Sequence, residues 1–545
     1  MASSNQSRSR WRRAVLYCLS VVLACSTQWS CAQEVWEDGP EERLPQPIVA
    51  SLEPVEISDE AEGDAIIPAG FADLAVPAGD SLFEGLTKRL ADVEKQLKKR
   101  DEADAKKANE FPTFKITGFL QLDSANYSQE PLNIATVGRA QNGTGFRRAR
   151  LAVNGKVAEF TNYQLEVDFA AQGRPSFFDN YVEQGNIPLL GAVRVGQFCQ
   201  PFSVDALTGF RNLTFLERSL PFLALVPFRR VGASSANLSE DGRTALTYSF
   251  FRTGGYNNAP LGDDRFATDF GNVGGFSFST RATHLLWYED DADDRYLWHV
   301  GGSYDYSRLG ANNSIGSGTS GNAGSPQPFY QARTTPEFGT LGYPDLGSTF
   351  GPAGGVNGTP NFVDTGRYLA NSFNMFGLET VYQNGPWGAT AEYMATVVDS
   401  PVGPITYQGA SGFIAYRLTG ENRVYDKKTA TLGKLVPFAD FIPLGGDGIK
   451  GWGAWEVAGR YSIIDLRNPD NLSGRYYDSA TNSFTASAAK GAQGNGVLQD
   501  TTLGLTWFLN THTKVQFNWI HAMLDNKYKG FSTADLFVSR VQVDF

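Results

Sequence analysis

The chain has 545 residues, of which 13% are aromatic, 58 are glycine and only 19% are charged. A formal net charge of −11 argues against nucleic acid as a partner. Beyond the N-terminal stretch, no apolar run reaches the roughly 18 residues of a membrane-spanning helix, which excludes a bundle of transmembrane helices.

The N-terminus has the pattern of a secretory signal peptide. A cluster of arginines precedes the short apolar run Ala14–Ala24. Small residues at Ser30 and Ala32 predict cleavage after Ala32, so residues 1–32 are the predicted signal. The alternative is a lipoprotein start at Cys25, which the preceding residues fit poorly.

Two further segments precede the main body of the chain. Residues 33–80 are acidic and proline-rich without periodicity, which is typical of a disordered linker. Within residues 81–110, apolar side chains recur at helical spacing and predict a periplasmic coiled-coil helix. The alternative is a single solvated helix, but a helix this short is marginal in water. We therefore expect partner helices, which a homotrimer would supply. The apolar positions are Leu82, Leu86, Leu90, Val93 and Leu97.

Residues 111–545 read as β-strands in which apolar and polar residues alternate. In Phe146–Lys156, Leu151 and Val153 fall on one face while Arg148 and Arg150 fall on the other. Successive side chains of a strand point to opposite faces, so this stretch has one apolar and one charged surface. A single hairpin of this kind would also suit a soluble sandwich, but the pattern recurs to the final residue.

We count sixteen strands from Lys115–Asp123 to Asp535–Phe545, and place the twelfth at Phe413–Thr419. Each approaches the ~9–11 residues of a tilted membrane strand, and an even number allows antiparallel closure with both termini on one side. The sequence therefore predicts an all-β, 16-stranded antiparallel transmembrane β-barrel. The last strand ends at Phe545, a terminus typical of chains that engage the barrel-assembly machinery.

The connections between these strands alternate in length. Short turns such as Ser239–Arg243 and Asn384–Pro386 alternate with long connections such as Ser307–Phe373 and Arg467–Asp500. Short periplasmic turns and long external loops are typical of outer-membrane barrels. Gly420–Trp452 is long where a short turn is expected, which leaves the strand count open by one hairpin there.

No motif for covalent chemistry is present, so we predict no catalytic residue, no cofactor and no metal site. Cys199 is the one cysteine that remains after signal cleavage. The histidines have no ligand spacing, and the motifs of nucleophilic or phosphate-binding sites are absent. The acidic cluster Asp290–Asp294 could suggest calcium, but its spacing favours a solvated turn.

Several cationic residues are candidates for guiding anions. A Lys or Arg that faces lipid at mid-bilayer costs about 2–4 kcal/mol, so the cations on polar strand faces are expected to face the lumen. Alternatively, Arg148 and Arg150 pair with Glu166 and Asp168 on the neighbouring strand. Arg218 could instead brace its own loop through Glu217 or carbonyl groups. The candidates are Arg148, Arg150, Lys156 and Arg194 on strands and Arg211, Arg218 and Arg229 in the connection Cys199–Arg229.

Several strings resemble the phosphate-selective porin O/P family across about Phe111–Phe545. They include FRRARLAVNGKV (Phe146–Val157), VGQFCQPF (Val195–Phe202) and TFLERSLP (Thr214–Pro221). The resemblance implies a sixteen-stranded, trimeric, anion-conducting channel whose third long loop folds into the lumen, where Arg and Lys residues guide phosphate. Cys199 stands where the family commonly has Lys.

These observations predict a porin of a Gram-negative-type outer membrane with a periplasmic N-terminus. It would passively conduct small anions, phosphate or related oxyanions, and contact membrane lipids and lipopolysaccharide. Two alternatives stay open, a weakly selective general diffusion porin and a structural or adhesive surface barrel. A barrel hydrolase is disfavoured because no Ser/His pair lies in a catalytic string.

Overall fold

The structure is a computed structural model that describes part of the chain. The predicted signal peptide, the linker and, apart from helical Lys95, the predicted helix 81–110 lie outside the described residues. The described residues are Lys95, 111–170, 175–253, 275–290, 295–310, 314–315, 327–339, 359–442, 451–472, 476–478, 483–485 and 495–545.

Sixteen antiparallel strands close into a barrel, as the sequence predicts. The first strand pairs with the last, from Phe119 opposite Asp544 to Gln129 opposite Ala534, and this pairing closes the sheet. The strands are β1 Lys115–Gln129, β2 Gly143–Ala158, β3 Thr161–Asp168, β4 Ser176–Ile187, β5 Gly191–Cys199, β6 Arg229–Leu238, β7 Thr244–Thr253, β8 Gly275–Asp290, β9 Arg295–Arg308, β10 Ser372–Asn384, β11 Trp387–Ser400, β12 Gly403–Arg417, β13 Ala454–Asp465, β14 Gly496–Phe508, β15 Thr513–Asn526 and β16 Gly530–Asp544. We call the barrel end at which β1 begins and β16 ends the terminal rim.

The bounds predicted for the twelfth strand are wrong. β12 starts at Gly403, directly after a tight turn in which the Ser400 hydroxyl donates to the Gly403 carbonyl at 2.7 Å. The sequence obscures this strand because Thr406 and Gln408 are polar and exposed, whereas Tyr407 is buried inside the barrel. In this part of β12 the polar residues face outward and the apolar ones inward, which is the opposite of the pattern in strands such as β2.

The remaining elements lie in the connections. Pro131 and Pro221 occupy the first turns of α1 and α3, where their missing N–H groups and fixed φ are tolerated. The helices are α1 Pro131–Val137, α2 Val204–Leu207 and α3 Leu220–Leu225, with 3₁₀ turns at Phe210–Asn212 and Asp470–Leu472. Short strands outside the barrel wall are Ser314–Ile315, Gln327–Tyr330, Arg333–Thr334, Val363–Asp364, Tyr368–Leu369, Arg423–Asp426, Thr431–Leu435, Tyr476–Asp478 and Ser483–Thr485. No helix in the described ranges has the length and hydropathy needed to cross a bilayer.

The two faces of β2 differ as its sequence predicts. Leu151 is exposed on the outside, whereas Arg148 and Arg150 are buried on the inside. A β-bulge shifts the register against β1 beside Arg148 and adds Arg147 to the inward set. Two consecutive arginines therefore reach the interior from one strand.

Part of the barrel interior is an apolar core, which the alternation did not predict. Connection residues such as Leu216 and Leu220 pack against wall residues such as Met375 and Leu498, all of them buried. Gly377 of β10 makes room for this packing, because a Cβ there would lie 2.8 Å from the Phe202 ring. The interior is thus polar in some parts and tightly packed in others.

The long connection between β12 and β13 contains a hairpin that is not part of the wall. Its strands are Arg423–Asp426 and Thr431–Leu435, and we call residues 423–435 the inner hairpin. The Arg281 guanidinium of β8 donates to the carbonyls of Thr429 and Ala430, both at 2.9 Å. The sequence analysis allowed for one additional hairpin in this connection. The structure contains that hairpin, but it lies inside the barrel, so the wall still has sixteen strands.

Candidate anion pathway

The connection between β5 and β6, residues 200–228, is tied to the wall through Glu217. The Glu217 carboxylate accepts from Arg148 at 2.8 Å, from Arg147 at 3.0 Å and from Arg540 at 2.7 Å. Glu217 lies in the connection, outside the membrane-spanning strands. Burial by itself would raise the pKa of its carboxyl, but the positive charges of Arg148, Arg147 and Arg540 hold that pKa well below its usual value. Glu217 therefore neutralises part of a dense arginine cluster.

Arg218 braces its own connection. Its guanidinium donates to the carbonyls of Asp205 at 2.6 Å, Ala206 at 3.1 Å and Thr208 at 2.6 Å. Of the two bracing partners considered from the sequence, backbone carbonyls are thus the observed ones, and Glu217 instead faces the wall. Arg218 is buried, so its charge is directed at the backbone of residues 205–208.

Arg150 and Arg148 have different partners. Arg150 lies 3.0 Å from Asp168 and 3.5 Å from Glu166, the carboxylates considered in the sequence alternative. That alternative is wrong for Arg148, which pairs with Glu217. The reason is that Arg148 lies beside the bulge and points at the connection rather than along the sheet.

The two remaining strand cations, Arg194 and Lys156, and the connection residue Arg229 lie beside acidic groups or at the terminal rim. Arg194 pairs with Glu183 at 2.6 Å and Arg229 with Asp179 at 2.8 Å. Lys156 is exposed near the end of β2, at the terminal rim. The structure therefore separates Arg194 and Lys156 from the other candidates. Around the Phe210 ring it brings together four guanidinium groups, those of Arg148, Arg150, Arg218 and Arg229, at 3.8, 4.7, 3.9 and 5.9 Å from the ring centre.

Arg211 differs from these cations because the described residues offer it no ion pair. Its guanidinium carbon lies 5.0 Å from the centre of the Phe119 ring, and the side chain is only partly buried. It lines a cavity near the terminal rim together with Lys434 of the inner hairpin and Lys514 of β15. Cations from three separate parts of the chain therefore converge there.

Negative charge in this cavity is sparse. The Lys434 ammonium lies 3.9 Å from the Asp544 carboxylate, and the Lys514 ammonium donates to the Leu213 carbonyl at 3.3 Å. Arg423 also lines the cavity, but Glu456 pairs with it at 2.8 Å. Arg211, Lys434 and Lys514 thus face one lining carboxylate, Asp544, among the described residues.

The sequence reasoning missed several of these cations for identifiable reasons. Arg147 falls on the apolar face by strict alternation, and only the bulge turns it inward. Lys434 lies in a connection to which no structure was assigned. Lys514 begins a predicted strand, so its inward position could have been read from that strand's polar face.

A closed sixteen-stranded antiparallel barrel with an apolar exterior and a charged interior is the architecture of a porin-type membrane channel. The family model for phosphate-selective porin O and P matches residues 114–286 and 346–545, and the chain belongs to this family. A curated relative, Porin O of Pseudomonas aeruginosa, is 26% identical over 450 residues, covering 79% of this chain and 88% of the relative.

Solved structures of porins are also similar to this chain. The anion-selective porin from Comamonas acidovorans shares 11% identity with a TM-score of 0.41, covering 79% of this chain and 99% of that one. OmpF of Salmonella typhi shares 10% identity with a TM-score of 0.43, covering 79% and 97% of the two chains. Family membership and the barrel fold indicate an outer-membrane porin, a channel rather than an enzyme.

Proposed function

We propose that this porin passively conducts small anions, phosphate or related oxyanions, past the cavity lined by Arg211, Lys434 and Lys514. The observation that carries the proposal is the excess of cationic side chains over the single lining carboxylate Asp544. Rings and clusters of Arg or Lys lower the barrier for anions, and a low-dielectric wall strengthens that effect.

We further propose that residues 200–228 narrow the lumen at this point. Wall side chains donate to successive carbonyls of the connection, which supports a fixed position across the barrel. Gln542 donates to the Arg211 carbonyl at 3.3 Å, and Gln516 donates to the Thr214 carbonyl at 3.3 Å. Arg423 of the inner hairpin donates to the Asn212 carbonyl. An anion would then pass between this connection, the inner hairpin and β15.

The other sequence candidates act mainly as structural ion pairs in this proposal. Arg148, Arg150, Arg194 and Arg229 each lie within ion-pair distance of a carboxylate, which cancels most of their field at a distance. They hold the wall and the connection in place, while Arg211 supplies net positive charge. Lys156 would add positive potential at the mouth.

A homotrimer with its terminal rim in the periplasm is part of the proposal. The His521 Nδ1 atom lies within hydrogen-bond distance, 2.9 Å, of the Asp535 carboxylate beside Trp519 on the outer surface, next to exposed Phe537. Ionisable groups in contact with lipid are costly, so contact with a second copy suits this patch better. Chemical cross-linking in native outer membranes tests it, and a monomer-only ladder would contradict it.

The decisive experiment is single-channel recording of the purified protein in planar bilayers. We expect stepwise conductance, a reversal potential in a chloride gradient that indicates anion preference, and block of the chloride current by added phosphate. Channels without preference would favour the general diffusion porin. Absence of channels would favour a structural or adhesive barrel.

A further inference from the structure

The second half of the connection between β12 and β13 folds onto the outside of the barrel. We call residues 436–442 and 451–453 the rim segment. The backbone N–H groups of Phe441 and Ile442 both donate to the Leu509 carbonyl, at 2.7 and 3.2 Å. The Phe441 ring lies 4.6 Å from the ring of Trp507, centre to centre. Trp507 is paired with Trp455 on β13 and lies at the terminal rim.

The polar groups of the rim segment are largely satisfied within the protein. The indole N–H groups of Trp455 and Trp507 both donate to the Trp452 carbonyl, at 3.1 and 2.8 Å. The Gly453 N–H donates to the Ala439 carbonyl at 3.1 Å. The described part of this segment carries one charged side chain, that of the partly buried Asp440, whose backbone carbonyl accepts from the Gly451 N–H at 3.0 Å.

Three of its apolar side chains, in contrast, are exposed. Phe438 is 67% exposed, Trp452 is 72% exposed and Ile442 is 46% exposed. Trp455 and Trp507 share the outward face of the wall with exposed Val457 and Leu503. The exposed rings thus continue the lipid-facing surface of the barrel at the terminal rim.

We propose that the rim segment is an anchor embedded at the boundary between the headgroups and acyl chains of the inner leaflet. Tryptophan and phenylalanine with satisfied polar groups suit that boundary. Continuity with the lipid-facing wall distinguishes this surface from an exposed turn such as Pro188–Leu190. The phospholipid bilayer is accordingly the partner.

The anchor would also affect the position of residues inside the lumen, because the rim segment and the inner hairpin belong to one connection. Lys434 precedes Phe438 by four residues, and the Phe438 N–H donates to the Glu421 carboxylate at 3.2 Å. Lipid insertion of Phe438 would hold the end of the hairpin that carries Lys434. The lipid contact itself does not depend on the proposed anion preference.

The test places spin labels at Phe438→Cys and Trp452→Cys in a Cys199→Ser background. Protein in vesicles of phosphatidylethanolamine and phosphatidylglycerol is examined by power-saturation electron paramagnetic resonance with oxygen and a water-soluble nickel chelate. Leu189→Cys is the matched control, since Leu189 is 97% exposed in another turn at the terminal rim. We expect labels at 438 and 452 to shift toward oxygen collisions, and the label at 189 to collide mainly with nickel.

Two results would overturn the proposal. Nickel accessibility at 438 and 452 equal to that at 189 would place the segment in water. Exclusion of both reagents would place it against protein, such as a second copy. Quenching by brominated phospholipids provides an independent measurement on native tryptophans. We expect the quenchable fluorescence to fall in Trp452→Phe, and an unchanged quenchable fraction would also contradict the anchor.

Discussion

Replacing Arg211 by Gln isolates the cation that carries the proposed function. The substitution removes one positive charge that forms no ion pair with a described carboxylate, and leaves an amide in the same cavity. Arg194→Gln is the matched control. It removes the same formal charge from a side chain that pairs with Glu183 at 2.6 Å.

The expected size follows from Coulomb's law. At a separation of about 4 Å, two unit charges interact by about 1 kcal/mol in bulk water and by about 4 kcal/mol at an effective dielectric constant of about 20. A partly hydrated cavity is closer to bulk water than to the protein interior. Loss of the Arg211 charge should therefore raise the barrier for a monovalent anion by about 1–2 kcal/mol. That corresponds to a loss of about 5- to 30-fold in anion permeability relative to cation permeability.

Reversal potentials in a potassium chloride gradient measure this ratio directly. We expect Arg211→Gln to move the reversal potential strongly toward the cation side and Arg194→Gln to move it little. Raising the salt concentration should shrink the difference, because mobile ions screen the Arg211 charge. Equal shifts in the two variants would refute the reasoning, since selectivity would then follow total lumen charge rather than unpaired charge.

Two further substitutions and one deletion test how the interior is held together. Glu217→Gln leaves Arg147, Arg148 and Arg540 without their shared carboxylate. Breaking a buried ion pair costs about 3–5 kcal/mol, so we expect the free energy that holds residues 200–228 against the wall to fall by about that amount. Limited proteolysis should then cut this connection faster than in the wild type, and unchanged cleavage would contradict the assignment. Gly377→Val pushes a side chain toward the Phe202 ring, 2.8 Å from the position of a Cβ, and should increase current noise while heat-modifiable migration on gels stays normal. Deleting residues 423–435 removes Lys434 and Arg423, so we expect larger conductance with weaker anion preference; unchanged conductance would exclude the inner hairpin from the pathway.

The sequence predicts the barrel wall well where one face is polar and the other apolar. In β2, Leu151 and Arg150 alternate as lipid-facing and inward residues should, and the strand was located on that basis. In β12 the order is reversed, with polar Thr406 outside and Tyr407 inside, and the predicted bounds failed. Alternation reports that two faces differ, but it does not state which face meets lipid.

The candidate site was much harder to predict from the sequence than the barrel wall. Arg211 is a candidate because it lies in the connection Cys199–Arg229, between two of the strings that carry the resemblance, yet nothing local indicates that it lacks an ion-pair partner. The partners of its neighbours come from distant strands. Arg540 pairs with both Asp123 and Glu217, and that triangle exists only once β16 closes against β1. Pairing across a closed barrel is a property of the tertiary structure, so a count of arginines cannot predict it.

The position of Cys199 illustrates how net charge in a lumen depends on pairing. Cys199 places a neutral side chain in the wall opposite Arg229, its partner across the β5–β6 pair. The thiol packs, partly buried, against the apolar core that contains Phe228. The Arg229 guanidinium is paired with Asp179 at 2.8 Å. In the proposed function, the cations that act on an anion are Arg211, Lys434 and Lys514, which line the cavity near the terminal rim.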